Sequence, residues 1–317
     1  MGSRLEPAVV ARDLTKVYPT STTGARALSG VSLSIPAGQV YGLIGRNGAG
    51  KTTFVRIGAT QLMPTSGSMT VLGDDVVKDA GRVRQRIACV PQESRPLYFL
   101  NVDQLIYLYL KLRGMDRAEA RRRTDAVLEE LGLSAVGKQL VNQLSGGMRR
   151  RAMVAMVLAS DAEVLYLDEP TTGLDPLARR EVWGAIRRAS QEHRTVLLTT
   201  HYLDEADALS ARLALLEGGQ VRLEGTPHDL RARVRHPYRV TVEGVLGLSE
   251  LQSYGEVSEV SGGHLVFARE SSARDLAIYA LGKGARVSMG PVSLEDIFLQ
   301  VVGRSIEEDG EGVATES

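Results

Sequence analysis

Residues 45 to 52 read Gly45-Arg46-Asn47-Gly48-Ala49-Gly50-Lys51-Thr52, a complete GxxxxGK[ST] pattern. This octet restricts what the chain can fold into more than any other segment. Such a loop wraps polyphosphate by aiming bare backbone N–H groups at the anion. Glycine is therefore needed wherever a Cβ would block close approach or forbid a positive φ, and Gly45, Gly48 and Gly50 meet that need. Lys51 supplies a mobile positive charge for the β/γ-phosphates and Thr52 a hydroxyl for Mg²⁺, while the helix that starts here offers its positive dipole end. Arg46, Asn47, Ala49 and Thr53 complete the expected contact set. The pattern requires a strand before it and a helix after it. Gln39–Ile44 reads as a buried strand and the residues beyond Thr52 as a helix.

With 317 residues and 43% hydrophobic content, the chain can bury one large core and still build a small second domain. Lys+Arg and Asp+Glu both number 38, so no global field draws it to nucleic acid or acidic lipid, and no nucleic-acid partner is expected. Cys89, the single cysteine, excludes an intrachain disulfide. With no export signal at the N-terminus, this fits a reducing cytosol. The longest apolar stretch lies within Ala152–Ala159, far short of the roughly 18 residues of a spanning helix. Work at a membrane would need a partner to hold the chain there.

From Val9 to about Gly225, short runs (Gln39–Ile44, Ile87–Val90, Val164–Leu167, Thr195–Thr199, Arg212–Leu216) alternate with helical patterns. That alternation implies an α/β domain with a largely parallel sheet, spanning residues 8–235. Between about 94 and 160 the strand signal gives way to three helix-like segments, a helical subdomain. One, Asn101–Leu112, carries Val102, Leu105, Ile106, Tyr109 and Leu112 at helical spacing, and Asp116 with Glu119 makes a capping pattern for the next. Thr226–Arg235 reads as a linker helix. Residues 236–303 follow a β-α-β-β-α-β order and a last helix opened by Ser293 and Asp296, a small α+β domain of split βαβ type. The acidic stretch 304–317 reads as a disordered tail.

Val164-Leu165-Tyr166-Leu167-Asp168-Glu169-Pro170 is an apolar strand ending in two carboxylates. After a complete phosphate loop the acids divide the labour: Asp168 holds Mg²⁺ through its water shell, and Glu169 takes a proton from, or orients, the attacking water.

With these residues in view, the chain resembles the ATP-binding subunits of ABC transporters from Val9 to Gly225. Leu144-Ser145-Gly146-Gly147-Met148 matches the family's signature, Pro91-Gln92 its glutamine loop, Gly173-Leu174-Asp175 its dimer loop, and Thr199-Thr200-His201 its switch histidine. The resemblance implies an ATPase with ATP and Mg²⁺ as ligands. It implies a head-to-tail dimer, expected to be a homodimer, in which Ser145, Gly146 and Gly147 of one subunit close over ATP held by the other, with Asp175 at the seam. It also implies a separate polytopic permease and a place at the cytoplasmic face of the cell membrane. Gln92 would meet Mg²⁺ or water, residues 93–100 would face the permease, His201 would contact the γ-phosphate and help position water with Glu169, and Tyr18 would stack on adenine.

Ser145 can cap the helix that follows. Arg149, Arg150 and Arg151 then stand in its first turn, where cations oppose the dipole, so something negative should compensate. For Arg151 a contact within the subunit and a phosphate role both stand open, and Arg149 and Arg150 read as a solvated face. His193, His228, His236 and His264 also read as solvated. Met148 in the signature, the run Thr199–Ala206 and Ser293–Leu299 resemble the drug- and lipid-exporter branch that includes daunorubicin-resistance subunits. Export is the expectation. The alternatives are an importer subunit, or a soluble member of the family acting as a mechanical switch.

Overall fold

The computed structural model describes residues 6–19, 24–90, 99–232, 235–244, 246–260 and 262–302. Gln92, residues 93–98 and the expected tail from 304 lie outside the described residues. Two compact units divide between Glu224 and Gly225.

In the first unit the order is β1 (Pro7–Tyr18), β2 (Ala25–Pro36), β3 (Val40–Ile44), α1 (Lys51–Gly58), β4 (Ser66–Val71), β5 (Asp74–Asp75), α2 (Ala80–Arg86) and β6 (Ile87–Val90). There follow α3 (Val102–Leu112), α4 (Arg117–Glu130), α5 (Gly146–Leu158), β7 (Val164–Asp168), α6 (Pro176–Gln191), β8 (Thr195–Thr200), α7 (Leu203–Leu209), β9 (Arg212–Glu217) and β10 (Gln220–Gly225). The central sheet runs β10-β9-β3-β8-β7-β6, and β9, β3, β8, β7 and β6 are parallel. Every residue of β3, β7 and β8 is buried, because a parallel sheet is covered on both faces. Alternation sorts the side chains. Tyr41, Leu43, Tyr166 and Leu197 join the core that contains α1 and the second sheet, whereas Leu165, Leu167, Val196 and Leu198 join the core of the α3–α6 side. A slip of one residue would exchange the two sets, so the register is firmly specified.

The second sheet, β2-β1-β4-β5, is antiparallel and extends the expectation of a largely parallel architecture. Strand β1 carries a poor signal. The register of β1 against β2 shifts between Ala11 and Leu14, and Asp13 there has φ 48°; a bulge breaks the two-residue period that marks a strand.

All three helices of the inserted subdomain form. Asn101 accepts from Gln104 N at 2.7 Å while Gln104 Oε1 accepts from Asn101 N at 3.1 Å, a closed capping box for α3. Val102, Leu105 and Ile106 are buried, but Leu112, expected on the same stripe, is 87% exposed. Asp116 caps α4 through Ala118 N and Glu119 N, at 2.9 and 3.0 Å. Glu119 does not close a box; its carboxylate is taken by Arg122 and Arg123.

In the second unit, α8 (Pro227–Ala232) precedes β11 (Tyr238–Glu243), α9 (Leu248–Gln252), β12 (Glu256–Val260), β13 (Gly263–Ala268), α10 (Glu270–Gly282), β14 (Arg286–Pro291) and α11 (Leu294–Val302). Its antiparallel sheet runs β12-β13-β11-β14, the split βαβ order expected from sequence. Val240, Val242, Val266 and Ala268 pack with Leu251, Leu276 and Ala280. Ser293 opens α11: its N–H and hydroxyl donate to Asp296 Oδ2 at 2.6 and 2.8 Å, and Asp296 N donates back to Ser293 Oγ at 3.2 Å. Two of the histidines read as solvated are not. The His236 ring is largely enclosed, 3.4 Å from Glu256, and His264 is half-buried with its Nδ1 enclosed. No helix among the described residues is long and apolar enough to cross a membrane.

Candidate active site

Parallel pairing brings the expected motifs to one edge. Ile44 lies beside Thr200 and Asp168 beside Thr199, so the phosphate loop after β3, His201 after β8 and the acids at the end of β7 share the carboxyl ends of neighbouring strands, where open α/β sheets bind ligands. Gly48 has φ 79° and Gly50 φ 107°, values that favour glycine. Space matters as much. A Cβ on Gly45 would come 2.2 Å from the Leu216 carbonyl oxygen, and one on Gly50 2.4 Å from that of Ala27. These glycines thus let the loop nest against its own chain.

α1 starts at Lys51 with no side-chain cap and no acidic residue in its first turn, leaving its N–H groups and positive end directed at the cleft. That cleft, about 210 Å³, is lined by Ala27, the run Asn47–Thr53, and Glu169. Lys51 is buried; its Nζ donates to Gly45 O at 2.6 Å and Arg46 O at 3.1 Å and lies 3.8 Å from Glu169 Oε1. Burial pulls its pKa down, against the charges of Glu169 and Asp168. Tyr18 lies beside this loop, its hydroxyl 3.3 Å from that of the buried Thr53, and Lys16 Nζ stands 5.4 Å from its ring centre.

Asp168 and Glu169 are both buried, and one residue holds both. Thr199 Oγ1 donates to Asp168 Oδ1, while Glu169 N donates to Thr199 O at 3.0 Å and to Thr199 Oγ1 at 3.1 Å. Burial pushes the Asp168 carboxyl up, opposed by hydrogen bonds from Thr199 and Thr52. Its Oδ2 has no hydrogen-bond partner. An orphaned carboxylate oxygen beside the Thr52 hydroxyl is an oxygen donor set that suits a hard cation such as Mg²⁺. Glu169 has φ 52°, the left-handed region that a residue this long seldom adopts without surroundings that enforce it. Its Oε1 lies 3.4 Å from His201 Nδ1, and Thr172 Oγ1 donates to its Oε2 at 3.4 Å. Burial works to raise this carboxyl too, but His201 and Lys51 together hold it below the usual range. It therefore stays ionised at neutral pH.

Ser145 Oγ accepts from Met148 N at 3.2 Å, the cap expected for α5. Gly146 is exposed. Gly147 packs closely: a Cβ there would meet the Gly173 carbonyl oxygen at 2.7 Å. Asp175 is exposed and caps α6 through Leu177 N and Ala178 N, at 3.0 and 2.9 Å. Of the three arginines, Arg151 makes the contact within the subunit, donating to Leu131 O at 3.1 Å and Glu181 Oε2 at 2.9 Å. Arg150 corrects the reading of a solvated face. It reaches the carbonyl oxygens of Asp168 and Glu169, and burial pulls its guanidinium down. The negative partners that the α5 dipole calls for are therefore Glu181 and the backbone at the end of β7. Sequence inspection missed Thr199 and Arg150; the signal for Thr199 was a hydroxyl residue closing the apolar run Val196-Leu197-Leu198. A second hollow, about 330 Å³, lies between α4, α5 and α6. Its arginines are already engaged: Arg122 on Glu119, Arg123 and Arg194 on carbonyls at the end of α5, Arg188 on Glu130.

Residues 28–172 match the ABC transporter family profile. The chain is 35% identical to the daunorubicin/doxorubicin resistance ATP-binding protein DrrA of Streptomyces peucetius, over 98% of both proteins. The chain is an ABC transporter ATP-binding protein. This ABC ATPase hydrolyses ATP. It is 34% identical to Nod factor export ATP-binding protein I of Cupriavidus pinatubonensis, over 88% of this chain and 86% of that protein. Among solved structures, an ATP-binding cassette in a dimeric post-hydrolysis state with ADP and Pi superposes with a TM-score of 0.64 at 25% identity, covering 69% of this chain and 98% of that one.

Thr199→Val keeps the shape of the side chain but strips the hydroxyl from both acids of this ABC ATPase. The variant is expected to lose about 1–3 kcal/mol of stability, the cost of leaving buried polar groups short of partners. Urea unfolding of the full chain measures it, and an unchanged midpoint would mean that Thr199 does not hold the pair.

Proposed function

We propose that two copies of this chain close head to tail on ATP at the cytoplasmic face of the cell membrane. Hydrolysis then lets them part and drives a separate membrane-spanning permease that exports a drug, lipid or other hydrophobic compound. The observation that carries the hydrolytic part is the convergence of Lys51 and His201 on one oxygen of Glu169, at 3.8 and 3.4 Å, at the rim of the phosphate-loop cleft. The cargo class rests on full-length likeness to a drug-resistance protein.

In this reading the amides of Gly45–Thr53 and the start of α1 cradle the phosphates, and Lys51 neutralises the β/γ oxygens. Glu169, held ionised, accepts the proton of the attacking water, and His201 orients water and the γ-phosphate beside it. Thr52 directly and Asp168 through water would hold Mg²⁺, with Gln92 as a further contact. That ion would neutralise charge on the phosphate oxygens. Ser145, Gly146 and Gly147 present the capped start of α5 to the nucleotide of the facing subunit, with Asp175 at the seam. The ring of Tyr18 stacks on adenine. Such stacking contributes about 1–3 kcal/mol per base where it has been measured in single-stranded nucleic acid.

Glu169→Gln is expected to keep ATP bound and slow turnover about 10²–10⁴-fold, the usual worth of a general base, whereas Lys51→Ala abolishes binding. Equilibrium binding and steady-state phosphate release separate the two, and near-normal turnover in Glu169→Gln would remove Glu169 as the base. Affinity purification from membranes is expected to recover a polytopic membrane protein in stoichiometric amount. Recovery of ribosomes or DNA instead would overturn the transport reading.

A further inference from the structure

Glu205 is 0% exposed, on a short helix whose other buried residues are Leu203, Ala206 and Leu209. An aliphatic side chain would suit that face, and burying a carboxyl is costly unless its oxygens are used. One oxygen is used twice, while the other, Oε2, has no hydrogen-bond partner. Glu205 Oε1 accepts from Thr171 Oγ1 at 2.7 Å, two residues beyond Glu169, and from Trp183 Nε1 of α6 at 2.9 Å. Burial pushes this carboxyl up, opposed by hydrogen bonds from Thr200, Thr171 and Trp183. Thr200 immediately precedes His201, and its hydroxyl accepts from Tyr202 N at 2.9 Å.

The same helix reaches the histidine by a second route. One turn before Trp183, Arg179 lies over the Tyr202 ring, 4.5 Å from its centre, and 3.8 Å from Asp204. The Tyr202 ring is in turn 4.1 Å from that of His201. Both ties join α6, capped by Asp175, to the segment His201–Glu205.

We infer that Glu205 is a positioning residue: through Trp183 and Thr171 it holds the His201 segment in register with the Glu169 loop, so that α6 sets the geometry of the hydrolytic pair. The inference rests on the reading of Glu169 and His201 given above. Neither Glu205 nor Trp183 meets nucleotide in that reading; they act through His201. A misplaced reacting group can cost up to about 10²-fold in rate, and loss of one tie is expected to cost about tenfold.

The test uses the full-length chain with Glu205→Leu, Glu205→Gln and Trp183→Phe. Glu205→Leu and Trp183→Phe are expected to lower kcat for ATP hydrolysis about tenfold with KM for ATP within about twofold, and Glu205→Gln, which still accepts from both donors, to restore most of the rate. In a His201→Ala background the loss is expected to shrink to within about twofold, because residues acting as a unit are not additive. A readout independent of turnover is the NMR signal of the His201 ring, assigned by its loss in His201→Ala. Trp183→Phe is expected to shift it, because the ring's position depends on the tie to α6. Wild-type kcat in both Glu205→Leu and Trp183→Phe, an equal fold-loss with and without His201, or an unmoved His201 signal would overturn the inference. Wild-type kcat in His201→Ala itself would instead remove the underlying reading of that histidine, and this inference with it.

Discussion

Two adjacent carboxylates sit at the buried end of one strand, and the rest of the site is arranged around keeping them there. Asp168 and Glu169 cannot both be left unpaired away from water, since each buried charge needs hydrogen bonds or a counter-charge. Thr199 answers first, bonding the side chain of one and the backbone of the other. That is possible only because β8 lies beside β7 with Thr199 opposite Asp168. A register shifted by a single residue would turn the hydroxyl to the other face. The apolar packing on the two faces of the sheet, which fixes that register, is therefore also what fixes the geometry of the acid pair.

The charges are then distributed unequally. Glu169 has Lys51 and His201 against it and stays ionised; Asp168 is raised by burial and keeps one oxygen unpaired. Two chemically similar side chains, adjacent in sequence, are thereby pushed apart in acidity by their surroundings, as the roles of base and cation ligand proposed for them require. Arg150 adds support from behind, on the carbonyl oxygens rather than the carboxylates. It also resolves a local conflict, because a cation near the start of α5 opposes the helix dipole unless it can reach negative partners elsewhere.

The order of motifs was legible because each carries its own chemistry within a few residues. Gly45–Thr52 needs no distant partner to be recognised, and the run of apolar residues ending in Asp168 and Glu169 announces both a buried strand and the paired acids at its end. The parallel strands were legible for the same reason, being short, apolar and β-branched. The antiparallel sheet was less so: β1 is bulged at Asp13, and a broken period hides a strand. Leu112 followed the helical spacing of α3 yet faces outward, since spacing tells which residues share a face but not where the neighbouring helices end.

Sequence alone determined the phosphate loop, the acidic strand end, the cap of α5 and the split βαβ order of the second unit, because loops, caps and short periodic segments are governed by interactions over a few residues. Only the tertiary structure decided which groups those residues lean on. Thr199 under both acids, Arg150 on the backbone behind them, and Glu205 tying Thr171 to Trp183 all join residues from 18 to 34 positions apart. Such contacts follow from sheet register and helix packing, which no local pattern of side chains encodes.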